Sequence, residues 1–228
     1  MCGRMAITLP QDAMTQLFAA TPDNDLPTDP NWNVCPTATI AVCTSSSGQR
    51  RLRPMRWGFV PSWYQTPTDG PLLINARSET IAEKPAFRDA CRQRRCLIVA
   101  DGFYEWKREK GATPEPWFVT RADGTPMVFG GIWQDWARGD QELTGCAIVT
   151  CDANDAMAPI HDRLPVVLEP KDWPLWLGEA GKGAALLMKP TANDTLTFTR
   201  VATTVNSNRA SGPDLILPLS GGNPAPTS

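Results

Sequence analysis

Apolar and polar positions alternate in short runs along most of this chain, and only a few stretches repeat at helical spacing. The first is "LPQDAMTQLFAA", where Met14, Leu17 and Phe18 fall on one side of a helical turn and Pro10 sits near the start, so the pattern predicts an early helix. Glu79 to Arg92 predicts a second helix, started or broken at Pro85. Two shorter helices are expected around "PKDWPLWL" and "GKGAALLMK". Between them "TIAVCT", "LLIN", "CLIVA", "FYEWK", "PWFV", "MVFGGIW", "CAIVT" and "PVVLE" read as strands, most bounded by Gly, Pro or Asp. The stretch "TPDNDLPTDPNWNVCPT" is so rich in Pro, Asp and Asn that it reads as loop.

Short strands with few crossover helices predict an α+β fold, with curved mixed or antiparallel sheets rather than a doubly wound parallel one. Neither a repeat nor a domain-sized linker interrupts the 228 residues, so one domain is expected over 1–219. The small, polar "SGGNPAPTS" at 220–228 reads as a disordered tail.

Composition adds a core and a compartment. With 42% hydrophobic residues and nine tryptophans the chain can fill a substantial interior. No apolar run approaches the ~20 residues that span a bilayer, and no basic stretch leads an apolar one at the start, which predicts a cytoplasmic protein. Seven scattered cysteines and one histidine suit reduced thiols better than a disulfide framework. Cys91 with Cys96, and Cys146 with Cys151, have C-x4-C spacing, but Cys96 and Cys146 each lead an apolar strand, so buried packing is expected and no structural zinc.

The net charge of −2 hides an asymmetry. Residues 50–95 hold Arg50, Arg51, Arg53, Arg56, Arg77, Lys84, Arg88, Arg92, Arg94 and Arg95 against Asp69, Glu79, Glu83 and Asp89, a balance of +6 that leaves −8 elsewhere. One arginine-rich surface on an acidic body can bind a polyanion; arginines paired with local acids are the alternative.

Several positions could carry chemistry. The opening "MCGR" would leave Cys2 as the terminus once Met1 is clipped. Its α-amine, with a pKa near 8, and its thiol would then sit on adjacent carbons, able to condense with an aldehyde to an imine that the thiol closes into a thiazolidine. Gly3 leaves room beside it. The plain alternative is an ordinary N-terminal residue. In "DGFYEWK" period-two alternation puts Phe103 and Glu105 on one strand face, which favours a desolvated carboxylate suited to acid/base work, unless the strand lies at the surface. His161, the lone histidine, lies between Pro159 and Pro165 in a stiff loop entering a strand, a place for a proton-transfer group or a structural one. "LLINARSET" displays Asn75 and Arg77 on one side at a strand end, suited to a sugar oxygen or phosphate, with a helix cap as the other reading. "RWGFVPSW" sets Trp57 and Trp63 among arginines, as single-stranded nucleic acid requires, and Trp63 after the Pro-Ser turn is the one expected outside.

Taken in order, "MCGR", "NVCPT", "RWGFVPSW", "INARSETIAEKPAFR", "DGFYEWK" and "IHDRLPVVL" strongly resemble the SOS-response-associated peptidase (SRAP) family, over Cys2 to about Leu219. The resemblance implies a single-domain α+β fold of that type. It also implies a suicide chemistry, covalent capture of abasic sites in single-stranded DNA through Cys2 as part of a DNA damage response. By the same carry-over Asn75 orients the opened sugar, Glu105 serves as acid/base and His161 assists proton transfer and reversal. Arg4, Arg77 and Arg88 contact DNA, with Pro61 and Trp63 on the DNA-facing surface. No cofactor is implied, and a cytoplasmic monomer that joins the nucleoid when bound is expected. The family's peptidase name reflects the view that some members release their own N-terminus, whereas here an aminopeptidase would suffice to remove Met1; a lyase or peptidase classification is open.

Departures are modest: Cys35 stands in "NVCPT" where a small apolar residue is more usual, and leucine stands in "IHDRLP" where methionine is common. The long tail of animal members is missing, which points to a bacterial-type protein. Three rivals stay open: an N-terminal-nucleophile glutamine amidotransferase, a thiol peptidase built on Cys2 with His161, and a non-catalytic single-strand binder.

Overall fold

In a computed structural model of the chain, which describes residues 2–219, the alternating runs pair into two sheets. The elements follow as β1 (Met5–Ile7), α1 (Gln11–Phe18), β2 (Thr21–Pro22), β3 (Asn31–Val34), β4 (Thr39–Ser46), β5 (Gln49–Trp57) and β6 (Asn75–Arg77). Then come α2 (Arg88–Gln93), β7 (Arg95–Ala100), β8 (Gly102–Lys107), β9 (Glu115–Arg121), β10 (Met127–Arg138), β11 (Gln141–Asp152), β12 (Arg163–Pro165), α3 (Trp173–Leu177) and β13 (Leu196–Arg200). Met1 and the expected tail at 220–228 lie outside the described residues.

The smaller sheet is antiparallel in the order β13-β9-β8-β1-β3, and the larger is mixed, β12-β11-β10-β7-β4-β5-β2. β11 also pairs in parallel with β5 at Gly145 and Cys146, so β11, β10, β7, β4 and β5 close on themselves. Closure brings backbones together: a Cβ on Gly145 would strike the Gly58 carbonyl. Just beyond, Ile148–Thr150 take β6 in parallel, which fixes Asn75 and Arg77 against the ring.

Period-two alternation then sorts side chains between two cores. Phe103 faces the main core, where its ring meets Phe129 of the larger sheet edge-on at 6.1 Å. Tyr104 faces the other way, into a small cluster with Phe118, Val205 and Leu215 that the C-terminal turns cover. The cysteines behave as small hydrophobes: Cys43, Cys96 and Cys146 are fully buried, and burial pushes the Cys43 and Cys146 thiols up to about 12. All seven thiols are free. Among the described residues no helix is long and apolar enough to cross a membrane.

The mixed sheets with few short helices match the expected class, and the local differences have physical causes. The helix expected at Glu79–Arg92 is only α2, because Pro85 has no N–H and disfavours helical geometry at Lys84. Residues 78–87 instead wind through turns such as Lys84 N to Thr80 O, 2.9 Å. The loop expected over 21–37 contains β2 and β3, since tertiary pairing overrides its polar composition. The arginine-rich Gln49–Trp57 is a strand: Leu52, Met55 and Trp57 are buried, and Pro54 falls where β5 has neither β2 nor β11 on that edge. Asn75 and Arg77 bound a strand of their own rather than closing "LLIN", and the strand in "PVVLE" lies earlier, at Arg163–Pro165.

Candidate functional site

β1 lies between β8 and β3, with Met5 opposite both Phe103 and Val34. That placement draws the residues before it inward, and Cys2 is 1% exposed with its side chain in the main core. Asn75, the first residue of β6, donates from Nδ2 to the Cys2 carbonyl at 2.8 Å. Because a carbonyl only accepts, this bond fixes the amide's orientation. The other amide atom, Oδ1, is buried and has no partner among the described residues. A dry, unmatched acceptor costs about 1–3 kcal/mol, and it is suited to a hydroxyl or N–H from a bound molecule.

Glu105 enters from β8, on the face it shares with Phe103, and is 4% exposed. Burial, and after it the charge of Glu105, push the Cys2 thiol well above the ordinary range, so the sulfur is a protonated thiol at neutral pH. The structure thus brings together Cys2, Asn75 and Glu105 from three separate segments.

His161 stands on the turn leading into β12, where His161 N bonds Met157 O at 3.0 Å. Its Nδ1 accepts from Arg163 N at 3.0 Å and lies 2.9 Å from Asp162 Oδ1. Sequence reasoning passed over Arg163, although it follows His161 by two. Arg163 is 8% exposed and grips Glu79 with both guanidinium nitrogens (3.0 and 2.9 Å), Asp152 at 2.5 Å and the Thr150 carbonyl at 2.9 Å. Since Ser78 N also bonds Thr150 O at 2.8 Å, this fork ties the histidine loop to the end of β6.

The expected surface residues separate into two groups. Arg77 is exposed, and among the described residues no ion pair or side-chain hydrogen bond holds it. Trp63 is 50% exposed, its ring edge-on to Tyr64, whereas Trp57 is buried. Arg88 is exposed and lies 3.7 Å from Asp89. Pro61 is buried, its carbonyl closing the turn to Tyr64 N, so it anchors the loop that presents Trp63. Arg4 points inward: its Nη1 donates to Asn33 Oδ1 at 2.6 Å and Val205 O at 3.0 Å.

Much of the arginine-rich segment is likewise spent on partners within the chain. Arg50 binds both carboxylate oxygens of Glu179 (2.9 and 2.7 Å), and Arg51 pairs with Asp23. Arg53 lies over Trp133 at 4.7 Å, and Arg56 donates to Gly58 O at 3.1 Å. Arg94 holds Gln134 at 2.7 Å, and Arg95 holds the carbonyls of Cys91 and Trp176. The charge excess read from composition is therefore not one basic surface; Arg77 beside the Asn75 site is the strongest phosphate candidate left within it.

Comparison with known proteins gives a family, several relatives and a solved structure of like fold. The family model described as SOS response associated peptidase (SRAP) matches residues 1–208. The chain is 33% identical to the abasic site processing protein YoqW of Bacillus subtilis, over 95% of this chain and 99% of that one. It is 36% identical to the abasic site processing protein YedK of Escherichia coli, over 81% and 84%, and 29% identical to the abasic site processing protein HMCES of Pongo abelii, over 96% and 76%. A crystal structure of a Bacteroides thetaiotaomicron protein superposes with a TM-score of 0.84 at 23% identity, covering 96% of this chain and 100% of that one, and shows the same fold.

Proposed function

We propose, from the premise that the chain belongs to the SRAP family, that it processes abasic sites in DNA by capturing them covalently through Cys2. The observation that carries this reading is the convergence of Asn75 and Glu105 on Cys2, in a setting that keeps the thiol protonated.

The chemistry runs in balanced steps once Met1 is gone. An abasic sugar is mostly a closed hemiacetal; Glu105 moves the proton that opens it to the C1′ aldehyde. The α-amine of Cys2 adds to C1′, and loss of one water gives an imine. The S–H then adds across C=N, carbon–sulfur bond forming as the proton passes to nitrogen, and a five-membered thiazolidine results. Asn75 Oδ1 accepts from the hydroxyl of the opened sugar while Nδ2 holds Cys2 in place. His161 relays protons during closure and reversal. Arg77 and Arg88 bind phosphates, and Trp63 stacks on an unpaired base, which favours single strands.

Capture differs from the peptidase and amidotransferase readings in its product, a stoichiometric protein–DNA adduct in place of turnover. The test is a denaturing gel with single-stranded oligonucleotides, one with and one without an abasic site. A stoichiometric adduct on the abasic strand alone supports the reading. Turnover of peptides or glutamine with no adduct refutes it.

A further inference from the structure

The segment after β13 does more than cover the smaller core. Its Val205 and Leu215 are buried against Tyr104 and Phe118, and its backbone is gripped by polar side chains from the strands around the nucleophile. Asn33 of β3 is 6% exposed, and its amide is used completely. Nδ2 donates to Ser207 O (3.1 Å) and Ala210 O (2.6 Å), while Oδ1 accepts from Arg4 at 2.6 Å. Arg4 Nη1 also reaches Val205 O, and its guanidinium lies 5.6 Å from the Trp106 ring. Trp106 in turn donates from Nε1 to Asn206 Oδ1 at 2.7 Å.

We propose that Asn33 and the strap at 203–210, acting through Arg4, are positioning elements for Cys2. Arg4 is then an inward anchor and not a phosphate contact. The physical case is a matter of fixed points. Cys2 is held on one side by Asn75, through its carbonyl, and on the other by Arg4 two residues away, whose own carbonyl accepts from Tyr104 N at 2.9 Å. With both ends fixed, the amine and thiol are presented in one orientation; with the Arg4 end loose, the terminal residues sample many. The contacts use the planar guanidinium and a fully satisfied buried amide, neither of which a surface phosphate contact requires.

This inference rests on the capture reading, and the experiment separates the two. The mature protein, with Arg4→Met, Asn33→Ala and the double variant, is mixed with an abasic single-stranded oligonucleotide over a range of concentrations and salt. Adduct formation then gives a maximal rate and a half-saturating DNA concentration. Expected is a maximal rate lowered about 10-fold or more in each single variant, no worse in the double, with half-saturation and salt slope within about twofold of the parent. Arg4→Lys, which keeps a donor for Asn33, should recover part of the rate.

The inference is overturned if Arg4→Met raises the half-saturating concentration and flattens the salt slope by about 0.7, as loss of one single-strand phosphate contact would, while Asn33→Ala changes nothing. Unchanged maximal rates overturn it equally. Should a variant melt below the assay temperature, Trp106→Phe, which removes the bond to Asn206 and shrinks the ring that Arg4 lies against, takes its place with the same expected split. Hydrogen exchange at Gly3–Ala6 reads the latch without DNA and should speed up in Asn33→Ala. If the parent forms no adduct, the capture reading fails, and exchange still decides the latch.

Discussion

The side-chain amide of Asn75 donates to the main-chain carbonyl of Cys2 at 2.8 Å, joining the start of β6 to the residues ahead of β1 across 73 positions of sequence. Asn75→Asp would set a carboxylate against that carbonyl, acceptor facing acceptor. The expected outcome in single-turnover experiments is adduct formation slowed about 10- to 100-fold, with DNA affinity retained. An unchanged rate would remove Asn75 from the positioning of Cys2.

Cys2→Ala keeps a terminal amine but loses the thiol that closes the ring. No adduct stable to denaturation should form without reductant, while borohydride should trap an imine-linked species and non-covalent DNA binding should persist. A stable adduct in this variant would show that the sulfur is not the closing atom.

Glu105→Gln removes the buried carboxylate beside Cys2 while keeping its shape. Ring opening should slow, so the adduct rate should fall by about 10²-fold, within the range for loss of a general acid or base. Supplying the sugar as an already open aldehyde analogue should restore part of it. Equal loss on both substrates would assign Glu105 to a later step.

Arg77→Ala should weaken DNA binding and reduce the slope of log K against log salt by about 0.7, one single-strand phosphate's worth of counterion release. Arg50→Ala, by contrast, should leave that slope unchanged and cost fold stability, because Arg50 is committed to Glu179 and Phe18 O.

That Arg50–Glu179 pair also gives a pH prediction. Hydrogen bonding from Arg50 lowers the Glu179 carboxyl below its ordinary 4.5. A lowered folded pKa means that the pair's contribution is full above the unfolded value and is lost as pH falls through the folded one. Glu179→Gln should therefore reduce the melting temperature at pH 7 and flatten its fall below about pH 4.5.

Much of this was legible in the sequence, and the exceptions share a cause. α1 and most long strands were readable because Met14, Phe18 and the apolar runs carry their period on the surface of the sequence. Glu105 and Phe103 were assigned to one face from alternation alone, and both are buried together. β3 and β5 were hidden, because their polar residues are satisfied by partners far away: Asn33 by Arg4 and the strap, Arg50 by Glu179. Arg163 was hidden for the same reason, its value lying in Glu79, Asp152 and Thr150. Composition counts charges and cannot tell an arginine facing solvent, such as Arg77, from one folded back on the chain.

The most direct measurement is the intact mass of the purified protein before and after mixing with a single-stranded oligonucleotide carrying one abasic site, without reductant. The account predicts loss of Met1 and a mass increase of one oligonucleotide less one water, stable to denaturation and absent in Cys2→Ala. A mature Cys2 that stays at its own mass in the presence of the abasic strand would contradict it.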